Sequence, residues 1–423
     1  MRNELYRHQI DSLRQTEGFN RVAYFHDMGL GKTYTGSEKA VSFGLPILVI
    51  CQKSKVQDWI DHFRQNYSRL VCVDLTNKKG FDNFLNGNRT SDVGVINYEL
   101  TFRRRELLKL RDFTLLLDES SMITNPVAKR TKFIHRLTPT NVILLSGTPT
   151  GGKYEKLWSQ LRLLGWNISK DLFWQHYVIT EWIEDRSGFK MKVVRGYKNV
   201  DRLKSKLAQY GCVFLKTDEV FDLPEQTWIP VTVPNTPQYR QFIRNSVVTL
   251  PDGTELVGDR TLTKRMYARQ LCGQYSAAKL DAFRDLVQST EDRLIVFYNF
   301  TAELVALEAI ANELERPISL MNGKVKRLEE YEQSDNSITF VQYQAGAMGL
   351  NLQKANKVVY FTLPESSELF EQSAKRIHRI GQKNACMYYP LMVDNSVEQS
   401  ILAALKMRKD YDDELFEKYE KQG

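Results

Sequence analysis

Short, unbroken apolar runs recur along this chain with helix-like stretches between them, and they do so in two separate tracts. In the first tract the runs fall at 22–25, 47–51, 70–73, 93–96, 115–117 and 142–145, parted by amphipathic or charged stretches such as 53–65 and 126–136. A strand apolar on both faces has to be covered on both faces, which predicts a parallel sheet between helices rather than a half-wet antiparallel one. The second tract repeats the pattern with strands at 294–298, 318–320, 338–341, 358–361 and 387–393. Helices are predicted at 301–314, 325–332, 366–380 and 397–419. Between the tracts the rhythm fails: 153–165 has helical period, 172–182 is crowded with aromatics, and 185–197 is polar with a hairpin or loop character. The fold class predicted is α/β, two parallel-sheet lobes in tandem with a small helical insertion. The boundaries are 1–150 for the first lobe and 151–235 for the protrusion and connector. The second lobe takes 236–423, with a helical lead-in over 236–290.

Composition narrows the class. Of 423 residues, 42% are hydrophobic and 26% charged, enough to bury a sizeable core. No apolar stretch approaches the ~18 residues of a membrane span, so no membrane partner is expected. The polar N-terminus MRNELYRHQI does not read as a signal peptide. Cys51, Cys72, Cys212, Cys272 and Cys386 stand apart with no CxxC pair, against a zinc module or disulfide framework and in keeping with a reducing cytoplasm. A net charge of +8 permits a polyanionic partner without requiring one. The basic clusters at 103–105, 324–327 and 375–379 read, each alone, as solvated helix faces. Phe173, Trp174, Tyr177 and Trp182 are expected to form a small satellite core rather than a base-stacking platform.

The sharpest local signal is HDMGLGKT at 26–33, directly after the first strand and opening a helix. Gly29 and Gly31 let backbone N–H groups converge on phosphate oxygens at a helix N-terminus. Lys32 is placed to reach the β- and γ-phosphates and Thr33 to take a Mg²⁺ position, although His26 fills the first glycine place of the strict GxxxxGK[ST] pattern. The strand ending at 117 runs into Asp118-Glu119, at the sheet edge where ligands of such sheets bind. Asp118 suits metal holding and Glu119 suits deprotonating a water. Arg376 and Arg379, three apart on a predicted helix, would share one face and supply charge to a departing phosphate. His378 has no ligand neighbour for a metal role.

Taken in order, these motifs resemble the Swi/Snf-type ATPases of helicase superfamily 2. LYRHQIDSL resembles a Q-motif, implying that Gln9 reads adenine. DMGLGKT, LVICQKSKVQDWIDHF, VINYEL, DESSMITNPVAKRTK and LLSGTPTGG resemble motifs I, Ia, Ib, II and III. LIVFYNFTAEL, AGAMGLNLQKANKVVYF and KRIHRIGQ resemble motifs IV, V and VI, and FDLPEQT and SAAKLDAF resemble landmarks at the lobe junction. The resemblance implies nucleic-acid contacts at Lys53, Ser54, Tyr98, Asn299 and Asn351, and coupling through Ser146, Thr148 and Gly349. It implies ATP and Mg²⁺ as cofactors and duplex DNA as a sequence-independent partner gripped by its phosphates. The expected activity is ATP-driven translocation without strand separation; a strand-separating helicase, a nucleotide-gated switch with little turnover and a non-nucleic-acid ATPase are the alternatives. Ser121 stands where the family usually has His, Gln342-Tyr343-Gln344 replaces a Ser/Thr-rich lead into motif V, and Pro364-Glu365-Ser366 stands where a Trp element is common. The absence of appended modules points to a compact bacterial or bacteriophage form, a cytoplasmic monomer whose recruiting partner the sequence does not name.

Overall fold

The structure is a computed structural model describing residues 4–85, 92–184, 188, 190–343 and 351–416. Gly349, expected in coupling, lies outside the described residues. Two compact units emerge: one takes the chain up to Val220 with the end of the C-terminal helix, the other Phe221–Lys409.

In the first unit the strands are β1 (Arg21–His26), β2 (Ile47–Cys51), β3 (Cys72–Asp74), β4 (Val93–Asn97), β5 (Thr114–Asp118) and β6 (Asn141–Leu145). An antiparallel hairpin, β7 (Val178–Glu184) and β8 (Lys190–Tyr197), follows, and then β9 (Cys212–Leu215). Seven of them form one sheet in the order β3-β4-β2-β5-β6-β1-β9, every neighbouring pair parallel. Alternation sends Ala23 and Phe25 into one buried layer and Val22 and Tyr24 into the other, so both faces are covered, as continuous apolar strands require. The strand β9 departs from expectation: it comes from within the tract 151–235 and completes the first sheet beside β1. Gly211 at φ +74 turns the chain into it, with Gly211 O accepting Ala23 N at 3.0 Å.

The second unit opens with β10 (Gln226–Trp228) and β11 (Val231–Val233), followed by the hairpin β12 (Val247–Thr249) and β13 (Glu255–Val257). The helices Pro237–Asn245, Thr261–Cys272 and Ala277–Gln288 make the lead-in. The first of these starts where the Thr236 hydroxyl accepts Tyr239 N at 3.2 Å and Pro237 takes the first turn. The main strands are β14 (Leu294–Tyr298), β15 (Ile318–Met321), β16 (Lys326–Arg327), β17 (Ile338–Gln342), β18 (Lys357–Tyr360) and β19 (Cys386–Val393). The sheet order is β10-β19-β18-β14-β17-β15-β16, with β11 also on β19, and only the β15–β16 pair is antiparallel.

Two predicted helices change form here. Over 325–332 the chain makes β16 and a short helix, Glu329–Gln333, because Asn322 Oδ1 accepts both Lys324 N and Val325 N at 2.9 Å and folds the chain back on β15. The helix predicted over 366–380 spans only Ser367–Ala374. Among the described residues, no helix is long and apolar enough to cross a membrane.

Candidate functional site

Parallel pairing brings every carboxyl end of the first sheet to one edge, and strand order decides which loops meet there. Because β6 lies between β1 and β5, the segment after β6 must sit between the glycine loop and the acidic pair. It does. A Cβ on Gly147 would lie 3.3 Å from Lys32 Nζ and 3.2 Å from Met28 Cγ, while the neighbouring Ser146 donates to Glu119 Oε1 at 2.6 Å.

In the glycine loop, Gly29 and Gly31 take φ +88 and +68, and a Cβ on Gly31 would fall 2.3 Å from Gln9 Nε2. Any side chain at 31 is both strained and blocked. The helix Lys32–Ser42 begins immediately, with Thr33 in its first turn. Lys32 Nζ donates to His26 O at 2.8 Å and Asp27 O at 3.0 Å, holding the loop from within. Gln9 is buried and donates from Nε2 to Leu30 O (3.2 Å) and Gly31 O (3.3 Å), while its Oε1 accepts Tyr6 N at 3.0 Å. The amide expected to read adenine is thus committed to bracing the loop. His26 is fully buried against Ser12 Oγ at 3.2 Å; burial, then the Lys32 charge, holds its pKa down at about 3, so the ring stays neutral.

Sequence reasoning missed Thr217, just past β9. Its hydroxyl donates to Asp27 Oδ2 at 2.9 Å, and Asp27 N donates to Leu215 O at 2.8 Å, latching the glycine loop to the sheet's last strand. No periodicity in the letters marks a contact 190 residues apart.

Asp118 and Glu119 emerge from β5 into different surroundings. Trp59 Nε1 donates to Asp118 Oδ2 at 2.8 Å, and burial raises that carboxyl's pKa against this bond and the charge of Lys32. Glu119 sits at φ 55, ψ 63, a left-handed conformation costly for a residue with a Cβ. Its Oε1 accepts from two hydroxyls, Ser146 at 2.6 Å and Ser121 at 3.0 Å. Ser121 therefore holds the acid directly. Thr148 N donates to Ser146 Oγ at 3.2 Å, so both expected coupling residues that are described lie on this chain of contacts. A second buried link runs from Ser120 Oγ to Gln160 Oε1 (2.7 Å) and from Gln160 Nε2 to Pro149 O (2.8 Å).

The expected nucleic-acid contacts divide. Lys53 and Ser54 are exposed at the carboxyl end of β2, and Asn351 is exposed in the second unit. Tyr98 is a correction: it is fully buried, and its hydroxyl donates to Asp118 O at 2.9 Å and Glu119 O at 3.3 Å. It holds the strained peptide rather than facing a ligand. Asn299 is half-buried, and its Nδ2 donates to Thr362 O (3.1 Å), Thr362 Oγ1 (2.9 Å) and Leu363 O (3.2 Å), pinning the loop after β18.

Arg376 and Arg379 do not share a helix face. They follow Ala374 in a turn region. Contacts outside the helix win there: Arg376 O accepts Leu352 N at 3.1 Å, and Gln382 Nε2 donates to Gln353 O, Ala355 O and Ile377 O. His378 Nδ1 accepts Gln226 Nε2 at 2.9 Å, which makes Nε2 the donor to Pro224 O at 2.9 Å. Arg376 is 7% exposed, and burial lowers the pKa of Arg379. These are not the solvated face of a basic helix.

The SNF2-related domain profile matches residues 18–276, and that of the helicase conserved C-terminal domain matches 278–381. The chain belongs to the SNF2-related family. Among curated relatives, this SNF2-related chain is 24% identical over 436 residues to the SWI/SNF-related matrix-associated actin-dependent regulator of chromatin subfamily A member 1 of Mus musculus, covering 91% of the chain and 40% of the relative. It is 23% identical over 442 residues to the putative ATP-dependent helicase/translocase YwqA of Bacillus subtilis (strain 168), covering 92% of the chain and 46% of the relative. The chain thus spans less than half the length of these relatives. A solved structure titled Sulfolobus solfataricus SWI2/SNF2 ATPase core in complex with dsDNA is similar at 19% identity and TM-score 0.45, covering 98% of this chain and 93% of that one.

Proposed function

We propose that this chain is a nucleic-acid-dependent ATPase that moves along duplex DNA. The observation that carries the proposal is the close approach of Lys32 to Gly147 and the bond from the neighbouring Ser146 to Glu119, which supports reading Lys32 as the phosphate-binding ammonium near an oriented carboxylate. Glu119 accepts the proton of an attacking water, and its two hydroxyl partners fix the oxygen they hold. A carboxylate gripped in a strained backbone is preparation for turnover and speaks against a silent nucleotide-gated switch. Thr33 and Asp118 offer the hydroxyl and carboxylate oxygens a hard divalent ion takes, and would hold Mg²⁺, whose charge offsets that of the phosphates. Gln9 and Thr217 act through the loop they brace. Arg376 and Arg379 add positive charge to the departing γ-phosphate in the active state.

Lys53, Ser54 and Asn351 supply exposed polar contacts to phosphates, a grip that carries no sequence preference and weakens with salt. Family membership and the relative named as a helicase/translocase support motion on DNA. The test is ATP turnover with no nucleic acid, with single strands and with duplex, followed by displacement of a third strand from a triplex. Duplex-stimulated turnover with third-strand release is expected. Turnover indifferent to DNA would remove the proposal, and release of the underlying strand as well would make the chain a strand-separating helicase.

A further inference from the structure

The hairpin β7–β8 carries a surface that the nucleotide chemistry leaves unused. The aromatic group expected to form one satellite core divides in two. Phe173 and Tyr177 are buried and pack edge-on to Trp166. Trp182 is 67% exposed. It pairs directly across the hairpin with Lys192, so the two side chains project from one face. Lys192 Nζ in turn lies 5.9 Å from the ring centroid of Trp174, and Lys170 Nζ lies 5.7 Å from the same ring. Lys170, Asp171, Trp174, Thr180, Lys192 and Lys198 line an open cleft of about 660 Å³.

Three lysines face a single carboxylate, Asp171, in that cleft, whereas the hairpin's other described cations are paired. Lys190 is paired with Glu184 at 3.7 Å and Arg195 with Glu181 at 2.6 Å. Among the described residues, none of Lys170, Lys192 and Lys198 has a carboxylate partner. The root of the hairpin is fixed: Tyr197 stacks on Tyr154 at 4.2 Å, and its hydroxyl donates to Glu155 Oε2 at 2.7 Å. These contacts anchor the root of the hairpin on the first unit's core.

We propose that this face binds a single-stranded stretch of nucleic acid, with a phosphate in the lysine cleft and a neighbouring base on the indole of Trp182. Alternating ammonium and indole groups match a strand's alternating phosphate and base, and every base has a face to stack. A duplex keeps those faces inside its own stack and offers Trp182 nothing but backbone, so the unpaired strand is the better fit. A polyanion without bases would use the lysines alone.

The test uses the full chain and two labelled oligonucleotides of equal length, one oligo-dT and one abasic, without ATP. Oligo-dT is expected to bind about tenfold more tightly than the abasic strand, in line with stacking of a single base. Trp182→Ala, at an exposed position, should erase that preference while leaving abasic binding unchanged. Lys192→Glu should weaken both strands and flatten the salt dependence. Equal binding of the two oligonucleotides by the unaltered chain, or an undiminished preference in Trp182→Ala, overturns the proposal. Duplex-stimulated ATP turnover, read in parallel, should be the same in all three proteins; its absence throughout would count against the translocase reading and leave the strand-binding result standing.

Discussion

Glu119 holds a conformation that its backbone resists and its neighbours impose. The Tyr98 hydroxyl, at the carbonyls of Asp118 and Glu119, and the Ser121 and Ser146 hydroxyls, at one carboxylate oxygen, fix the peptide and the side chain separately. Loss of one orienting hydrogen bond of about 1.4 kcal/mol corresponds to about tenfold in rate. Ser146→Ala and Ser121→Ala should each lower kcat by roughly that factor with ATP affinity little changed, measured by steady-state turnover on duplex DNA. Lys32→Ala should abolish turnover, and near-normal hydrolysis would refute the phosphate-loop assignment. Arg379→Ala should keep nucleotide binding by equilibrium titration yet lose ~10³-fold or more in hydrolysis; wild-type turnover would demote that guanidinium to a structural role. His26 belongs at this scale too. Its folded-state pKa of about 3 lies below the ordinary 6.5, so the unfolded chain takes up the proton first and stability falls as pH drops below about 6.5. Between pH 7 and 5 that is about 2 kcal/mol of lost stability from this ring. The pH dependence of chemical denaturation should be shallower in His26→Gln by that amount; superimposable profiles would show the ring is not responsible.

Among elements, the strands were legible and several of their connections were not. Continuous apolar runs placed β2 and β14 to the residue because burial on both faces leaves no polar positions to blur the ends. The helix at Ser367–Ala374 stops short because Gln382, Leu352 and His378 draw the following backbone elsewhere, contacts that no local pattern encodes. Likewise Gly29, Gly31, Lys32 and the acidic pair announce their chemistry in sequence, whereas Thr217, Trp59 and Gln160 act only once the sheet is assembled. Helix pairing in the second unit offers its own test. Lys279, on Ala277–Gln288, bonds Glu398, on Val397–Phe416, at 2.5 Å with the two side chains 0% and 2% exposed. Removing one partner strands a buried charge, so Glu398→Ala should cost about 3–5 kcal/mol in a denaturation experiment. The double change Lys279→Met with Glu398→Leu should recover most of it, and equal loss in both would mean packing, not charge, is at stake.

For the whole molecule, sequence reasoning put the first lobe's end near residue 150, yet its sheet closes only with β9 and its glycine loop only with Thr217. A fragment ending at 150 would carry every nucleotide motif of the first unit and lack the strand that shields the far side of β1. The order of synthesis follows from the same latch. The phosphate loop leaves the ribosome among the earliest residues but must wait for a threonine made much later before Asp27 is tethered. Until then a nascent chain carries an unfastened glycine loop, and a stall in translation anywhere before that threonine leaves a truncated product that displays the nucleotide motifs without the contact that ties them to the sheet's last strand.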